Sequence, residues 1–491
     1  MKTREQEFKR CKFIKLISFL AFLVFVLPLL SQERYRKSPP FPEPLDELKL
    51  PKIESFSLSN GLGITVARRE GLPLISLQLV IMAGESYSPE NLPGLATFTA
   101  RMLTKGAREL SSSRIEEIIE SVGGNLSVST FLDYSVFTFS FLEEYLDDAL
   151  EVLSKMIIVP TFSRREIDNE KRTQFYELRR KGNDPEFIGK NQLLRILFHN
   201  HPYQKATYSE DFIRNISQRD ILDFYNQYYL PNNAHLILVG NLNLPIAVRK
   251  ASHYFNIWKN TNLNRQFIPI PEPSSKERIC LVDLPQTEDS TIYIGNAIFP
   301  KNIQDFFALV VLNQVLGGTT NSRLFMNLRE SKGYAYFAFS EINLFKNSGI
   351  FWVKARVRPE VVYSSVKECL KEIEKIVKEE ITSFEIEQSK SYLIGNFPLK
   401  IQTFESLCAQ ISEATAFALG NEIWSRYYEN IMLVNSEKVF EVAQRYPFLT
   451  PVIVIVADKT KIMDHLSEFE EVEVYNSKGK LQYIQKKGEE N

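Results

Sequence analysis

Three residues in the stretch GLATFTARMLTKGA, Gly94 to Ala107, stand where a helix can carry a metal site. Thr97, Ala100 and Arg101 occupy i, i+3 and i+4, so on a helix they share one face. That spacing suits two metal ligands and a carboxylate. Here it carries a hydroxyl, a methyl and a cation, none of which is a usual zinc ligand or a general base. A second constellation lies in LRESKGYAY, where Arg329 and Tyr336 are seven apart across a helix end and a turn. A guanidinium and a phenol both donate hydrogen bonds, and donors aimed at developing negative charge are a strong catalytic device. The alternative for the same residues is a helix-ending Arg and a hairpin aromatic used for packing. Tyr334 competes with Tyr336, because alternate residues of a strand share a face. Among the histidines, His199 and His201 flank Asn200 but have no Cys or carboxylate at ligand spacing, so a structural role is expected.

The elements that position these groups follow from periodicity. Leu95, Phe98, Met102 and Leu103 recur at helical spacing and give the opening helix a core-facing stripe. Two short strands precede it, GLGITVARRE and LISLQLVIMAGES. After it, SSSRIEEIIESVG predicts a helix with Ser113 and Glu116 as a capping box. GNLSVSTFLDYSVFTFSFL reads as two strands turning at Leu132 and Asp133, and helices follow. The second half repeats this plan. SQRDILDFYNQYYLPNNAHLILVGN parallels SEKVFEVAQRYPFLTPVIVIVAD at an offset of 219 residues, Ser217 to Ser436. A tandem duplication of one α+β domain accounts for this. The expected fold is therefore two homologous domains, each an antiparallel-rich sheet with helices packed on one face. The expected boundaries are a signal peptide or anchor at 1–31, a proline-rich linker at 32–52 and a first domain at 53–245. A linker at 246–277, a second domain at 278–460 and a polar tail at 461–491 complete the chain.

At 491 residues the chain exceeds what one hydrophobic core serves. Its 59 basic and 60 acidic side chains leave a net charge of -1, which argues against a nucleic-acid partner. The basic start MKTREQEFKRCKFIK precedes the apolar run Leu16 to Leu30, shorter than the ~20 residues a spanning helix needs. This reads as an export signal, with Ser31 at a possible cleavage point, or as an uncleaved inner-membrane anchor. The chain is thus expected outside the cytoplasm, in a periplasmic or similar compartment. Cys11, Cys280, Cys369 and Cys408 form no CxxC pair, so neither a zinc ribbon nor a disulfide framework is indicated.

The duplicated plan, PGLATFTARMLTKGA and GGTTNSRLFMNLRESKGYAYFAFS together resemble the insulinase/pitrilysin family of zinc metallopeptidases over roughly Ile53 to Asp458. In active members of that family the opening helix carries His-x-x-Glu-His, with two zinc ligands around a general base. The resemblance places Thr97 at the first His, Ala100 at the base and Arg101 at the second His. It places Glu177, seven residues after Glu170 in NEKRTQFYELRR, at the remaining carboxylate ligand. One carboxylate cannot hold zinc, and an Arg facing it would repel a divalent cation. Arg101 is expected either to pair with Glu177 or to point to solvent.

The resemblance also implies that Arg329 and Tyr336 help hold a substrate carbonyl. The chain is accordingly similar to zinc-free subunits of two-chain peptidases, such as that of the mitochondrial processing peptidase. It would form half of a peptide-binding chamber and contribute to metalloendopeptidase activity only in a heterodimer. Its own cofactor set would be empty, with zinc on a homologous partner chain. A non-proteolytic structural or peptide-binding member of the family is the alternative.

Overall fold

The structure is a computed structural model in which residues 50–206, 210–264, 266–299, 303–420 and 422–488 are described. The expected signal or anchor at 1–31, Cys11 and most of the 32–52 linker lie outside them. The first half contributes β1 (Ile53–Ser57), β2 (Gly63–Arg68), β3 (Leu74–Ile81), β4 (Asn125–Thr130), β5 (Ser135–Leu142) and β6 (Ala234–Gly240). They form one sheet in the order β1-β2-β6-β3-β5-β4, antiparallel except for β2 beside β6. The second half contributes β7 (Arg278–Asp283), β8 (Ser290–Ile298), β9 (Ala335–Phe345), β10 (Ser348–Val357), β11 (Val452–Ala457), β12 (Glu471–Asn476) and β13 (Leu481–Lys486). Their order is β9-β10-β8-β11-β7-β12-β13, with β7 parallel to both β11 and β12.

Helices used below are α1 (Leu95–Met102), α2 (Arg164–Lys181), α3 (Pro185–Leu197), α4 (Gln218–Tyr228), α5 (Ile303–Gly317), α6 (Phe404–Ala416) and α7 (Ser436–Arg445). The repeated unit is visible in their ends. Ser217 caps α4 and Asn435 caps α7, and β6 and β11 start at Ala234 and Val452. Both pairs are offset by 218 residues, one less than alignment of the two serines gives. The difference arises because Asn435, not Ser436, is the cap, its Oδ1 accepting from Lys438 N.

Neither sheet has one face open. Alternation along β6 sends Leu236 and Leu238 into one hydrophobic cluster and Ile237 and Val239 into another, shared with second-half residues such as Leu281 and Ile292. The second faces are covered by exchange. First-half helix α3 lies on β8 and β11, and second-half helix α6 lies on β3 and β6. Gly189 makes the first of these crossings possible, because a Cβ there would sit 2.7 Å from the Tyr293 ring. In the second crossing Ser412 donates to Gln78 Oε1 at 2.5 Å. The halves are thus reciprocally packed, not beads on a string.

Three expectations need correction. The segment expected as a tail at 461–491 holds β12 and β13, which extend the second sheet. Val472 and Val474 alternate inward, while Arg278 clasps Glu473 between them at 2.9 and 2.7 Å; the density of charges concealed this. Residues 246–255 are not linker but most of a helix, Leu244–Phe255, capped by Asn243 and burying Ala247, Ala251 and Phe255 at a spacing of four. The cap of helix Ser112–Ser121 is Ser111, which accepts from Arg114 N, so Ser113 and Glu116 make no capping box.

Candidate functional site: a filled metal position and an open Arg–Tyr corner

Helix α1 begins at Gly94, whose φ of 93° favours glycine and whose lack of a side chain leaves the helix without a local cap. Glu85, from the loop after β3, supplies what is missing. Its Oε2 accepts from Gly94 N at 3.1 Å and from Ser88 Oγ at 3.0 Å. Its Oε1 accepts from Thr97 N at 2.9 Å and from the Thr97 hydroxyl. Ser88 Oγ in turn accepts from Ala96 N at 3.0 Å. A carboxylate at a helix N-terminus is favoured by the backbone dipole. Burial nevertheless raises the Glu85 pKa, outweighing the four hydrogen bonds that lower it. Sequence reading missed Glu85. An acid flanked by Gly84 and Ser86, ahead of a helix that lacks a polar cap, was the available signal.

At the first-ligand position, then, Thr97 is tied to Glu85. Ala100 is fully buried in the core. Arg101 points at α2, where Nη1 and Nη2 reach Glu177 at 3.1 and 3.0 Å in a two-pronged pair. Nη1 also donates to Glu170 Oε1 at 3.3 Å. Glu170 is only 4% exposed and accepts a further bond from Gln174 Nε2 at 3.0 Å. The Arg101 side chain remains 31% exposed and Glu177 34%. Arg101's hydrogen bonds hold the Glu177 carboxyl below its usual range against partial burial. Burial pulls the Arg101 pKa down, but the two carboxylates more than offset it and leave it raised.

The residues present do not fit a zinc ion. Both positions that the resemblance gives to nitrogen ligands lack imidazole, and the two carboxylates already share one guanidinium. Among the described residues no other group of His, Cys, Asp and Glu has metal-binding geometry. His201 uses its ring structurally, with Nε2 donating to Pro269 O at 2.8 Å and Nδ1 accepting from Tyr203 N at 3.1 Å. At the position that the resemblance gives to the general base, Ala100 presents only a methyl.

The second constellation is built differently. A single wide helical turn, Met326–Ser331, is anchored by buried Leu324 and Leu328 and carries Arg329 outward. Its chain reverses through Gly333 at φ 64°, and Tyr334 N bonds Leu328 O at 2.8 Å. Arg329 Nη1 then reaches Ala335 O, next to Tyr336, at 3.2 Å. A register shift lies here: Ala335 pairs with Val357 and Phe337 with Arg356, so Tyr336 bulges out unpaired. Beyond the bulge the inward positions move from Ala335 to Ala338 and Ser340, so the slip in alternation follows Tyr336. Tyr336 is 52% exposed, with the Arg356 guanidinium 5.9 Å from its ring centroid, whereas Tyr334 is half-buried.

A cavity of about 1010 Å³ is lined by both halves, with Thr97 and Arg101 on one wall and Phe345 and Trp352 on another. Among the described residues its walls include neither Arg329 nor Tyr336. The structure therefore unites Thr97, Ala100, Arg101 and Glu177 at one place and Arg329 with Tyr336 at another.

Comparison with known proteins matches these two regions to two family models. Residues 67–211 match "Insulinase (Peptidase family M16)" and residues 215–393 match "Peptidase M16 inactive domain". The chain is similar to an "Uncharacterized zinc protease YmxG" of Bacillus subtilis, 22% identical over 80% of this chain and 95% of that protein. It is similar also to a "Non-peptidase homolog YmxG" of Helicobacter pylori, 27% identical over 68% and 77% of the two chains. Among solved structures, a peptidase M16 inactive domain from Pseudomonas fluorescens superposes with a TM-score of 0.77 at 20% identity, covering 82% of this chain and 97% of that one.

Proposed function

Because the chain belongs to the insulinase (peptidase M16) family and lacks that family's zinc motif, we propose that it is the zinc-free subunit of a two-chain zinc peptidase. In this reading it forms half of a peptide-binding chamber and lends Arg329 and Tyr336 to a partner's zinc site. The observation that carries the proposal is the separation just described. The Arg–Tyr corner is exposed and lies outside the cavity that Thr97 and Arg101 line, so it is open to another chain. A phenol and a guanidinium so placed can stabilise a substrate carbonyl as it gains negative charge. The Helicobacter pylori relative's description as a non-peptidase homolog supports the loss of autonomous cleavage.

The Arg101 ion pairs would serve equally well in a non-proteolytic member of the family. The exposed corner favours the catalytic partnership, because buried neighbours alone would fix a packing aromatic. Export, with the N-terminal segment as signal or anchor, places the pair outside the cytoplasm in this reading. The test mixes the purified chain with a zinc-bearing homologue and a peptide substrate. The proposal expects a stable complex whose cleavage requires both chains. A complex with no gain in cleavage, or no complex, would shift the reading to a non-proteolytic role.

A further inference from the structure

The cavity described above has its own chemistry. The wall contributed by α3 presents Phe187, Lys190 and Leu194, residues at i, i+3 and i+7 that share one face of the helix. Lys181, at the end of α2, reaches over the Phe187 ring, with Nζ 5.6 Å from its centroid. Lys190 lies over Trp352 of the second half, 4.7 Å from its centroid. Both cations are thus laid along aromatic faces, an arrangement that holds an ammonium without neutralising it. Among the described residues neither lysine has a carboxylate within ion-pairing distance.

The acids of the cavity are in a different state. Glu85 accepts four hydrogen bonds. Asp133 accepts from Tyr203 Oη at 3.0 Å and Lys346 N at 2.8 Å. Arg101 is already engaged by Glu170 and Glu177. Glu413 stands on α6, where burial raises its pKa and weakens it as a counter-charge. The cavity therefore offers two lysines that make no close ion pair, Lys181 felt by Glu177 and Lys190 by Glu341 only from farther away, beside aromatic and aliphatic walls. Strand β4, whose Val128 to Thr130 also line it, is the edge of its sheet, so backbone donors and acceptors on its outer side are unpaired by the chain itself. An edge strand favours an extended peptide over a lipid or a compact small anion.

We propose that this cavity binds the carboxyl-terminal end of an apolar peptide, with Lys181 and Lys190 receiving the carboxylate. This names a ligand for the chamber wall proposed above, but it concerns one chain and stands or falls without a partner. Of the three tryptophans in the sequence, Trp352 and Trp424 line the cavity and serve as reporters. The experiment titrates the purified full-length chain, alone, with a short apolar peptide as its free acid and as its C-terminal amide, following tryptophan emission. The free acid should bind about tenfold more tightly, a difference of about 1.4 kcal/mol. The double variant Lys181→Gln/Lys190→Gln, checked for native melting, should lose most of that preference, its two affinities coming within about twofold of each other. Equal affinity for acid and amide, no binding of either, or a preference that survives in the double variant would each overturn the assignment. Because no second chain is present, a negative result here leaves the two-chain reading untouched, and the reverse also holds.

Discussion

The α1 wall and the Arg329–Tyr336 corner, the two places where the family resemblance puts site residues, handle their polar groups in opposite ways. At α1 the polar groups are tied to one another: Arg101 to Glu170 and Glu177, Thr97 to Glu85. At the corner the groups are left outward, with Arg329 bonded, among the described residues, to the Ala335 backbone carbonyl and Tyr336 pushed out by a bulge. An unpaired buried charge is costly, so a wall that holds Glu170 must supply it with a cation. Arg101 does this with the geometry only a guanidinium has. A corner that had lost its use would carry no such obligation, and its exposed groups could drift to any residue. The contrast separates a region shaped by stability from one available for chemistry.

The largest effect that would sharpen this contrast is Arg329→Ala in the two-chain complex. It should cut cleavage about 10²-fold, the scale of losing one preorganised oxyanion donor. The chain's own melting should barely change, since the residue is exposed. Arg101→Ala should do the reverse. It should destabilise the chain by about 2–3 kcal/mol in urea unfolding, because Glu170 would be left buried without its cation. Arg101→Lys should recover only part of that loss, because an ammonium cannot make the two-pronged pair.

The smallest effect concerns acid. Glu177's folded pKa is depressed, so its contribution is fully present above the ordinary carboxylate pKa of about 4.3 and is lost as pH falls through its lower folded value. Glu177→Gln should flatten stability over that acid range by less than about 1 kcal/mol, given the pair's partial exposure. A stability profile against pH compares the two proteins. An unchanged slope would mean that the pair adds little beyond geometry.

Much of this was legible in residue spacing. The i, i+3, i+4 face of α1 and the strands flanking it follow from period alone, and the α+β duplication follows from two matching segments. What could not be read were features that depend on which surfaces meet. Helix α3 was not among the elements read from the sequence, and nothing in its spacing reports that it rests on the sheet of the other half. Glu85 is twelve residues from Thr97, joined to it through a loop whose closure no periodicity reports. The bulge at Tyr336 was equally hidden, since YAYFAF alternates as a regular strand would. The β12–β13 pair was different: Val472 and Val474 carried the alternation, but the surrounding charges masked it.

The central claim is that Tyr336 acts on a substrate held at another chain's zinc. Its most direct test is the steady-state cleavage of a peptide by the mixed complex carrying Tyr336→Phe in this chain. The account predicts that kcat falls about 10²-fold while KM and complex formation hold, as expected when a group acts mainly in the transition state. Cleavage that proceeds at the unmodified rate without the Tyr336 hydroxyl would contradict it.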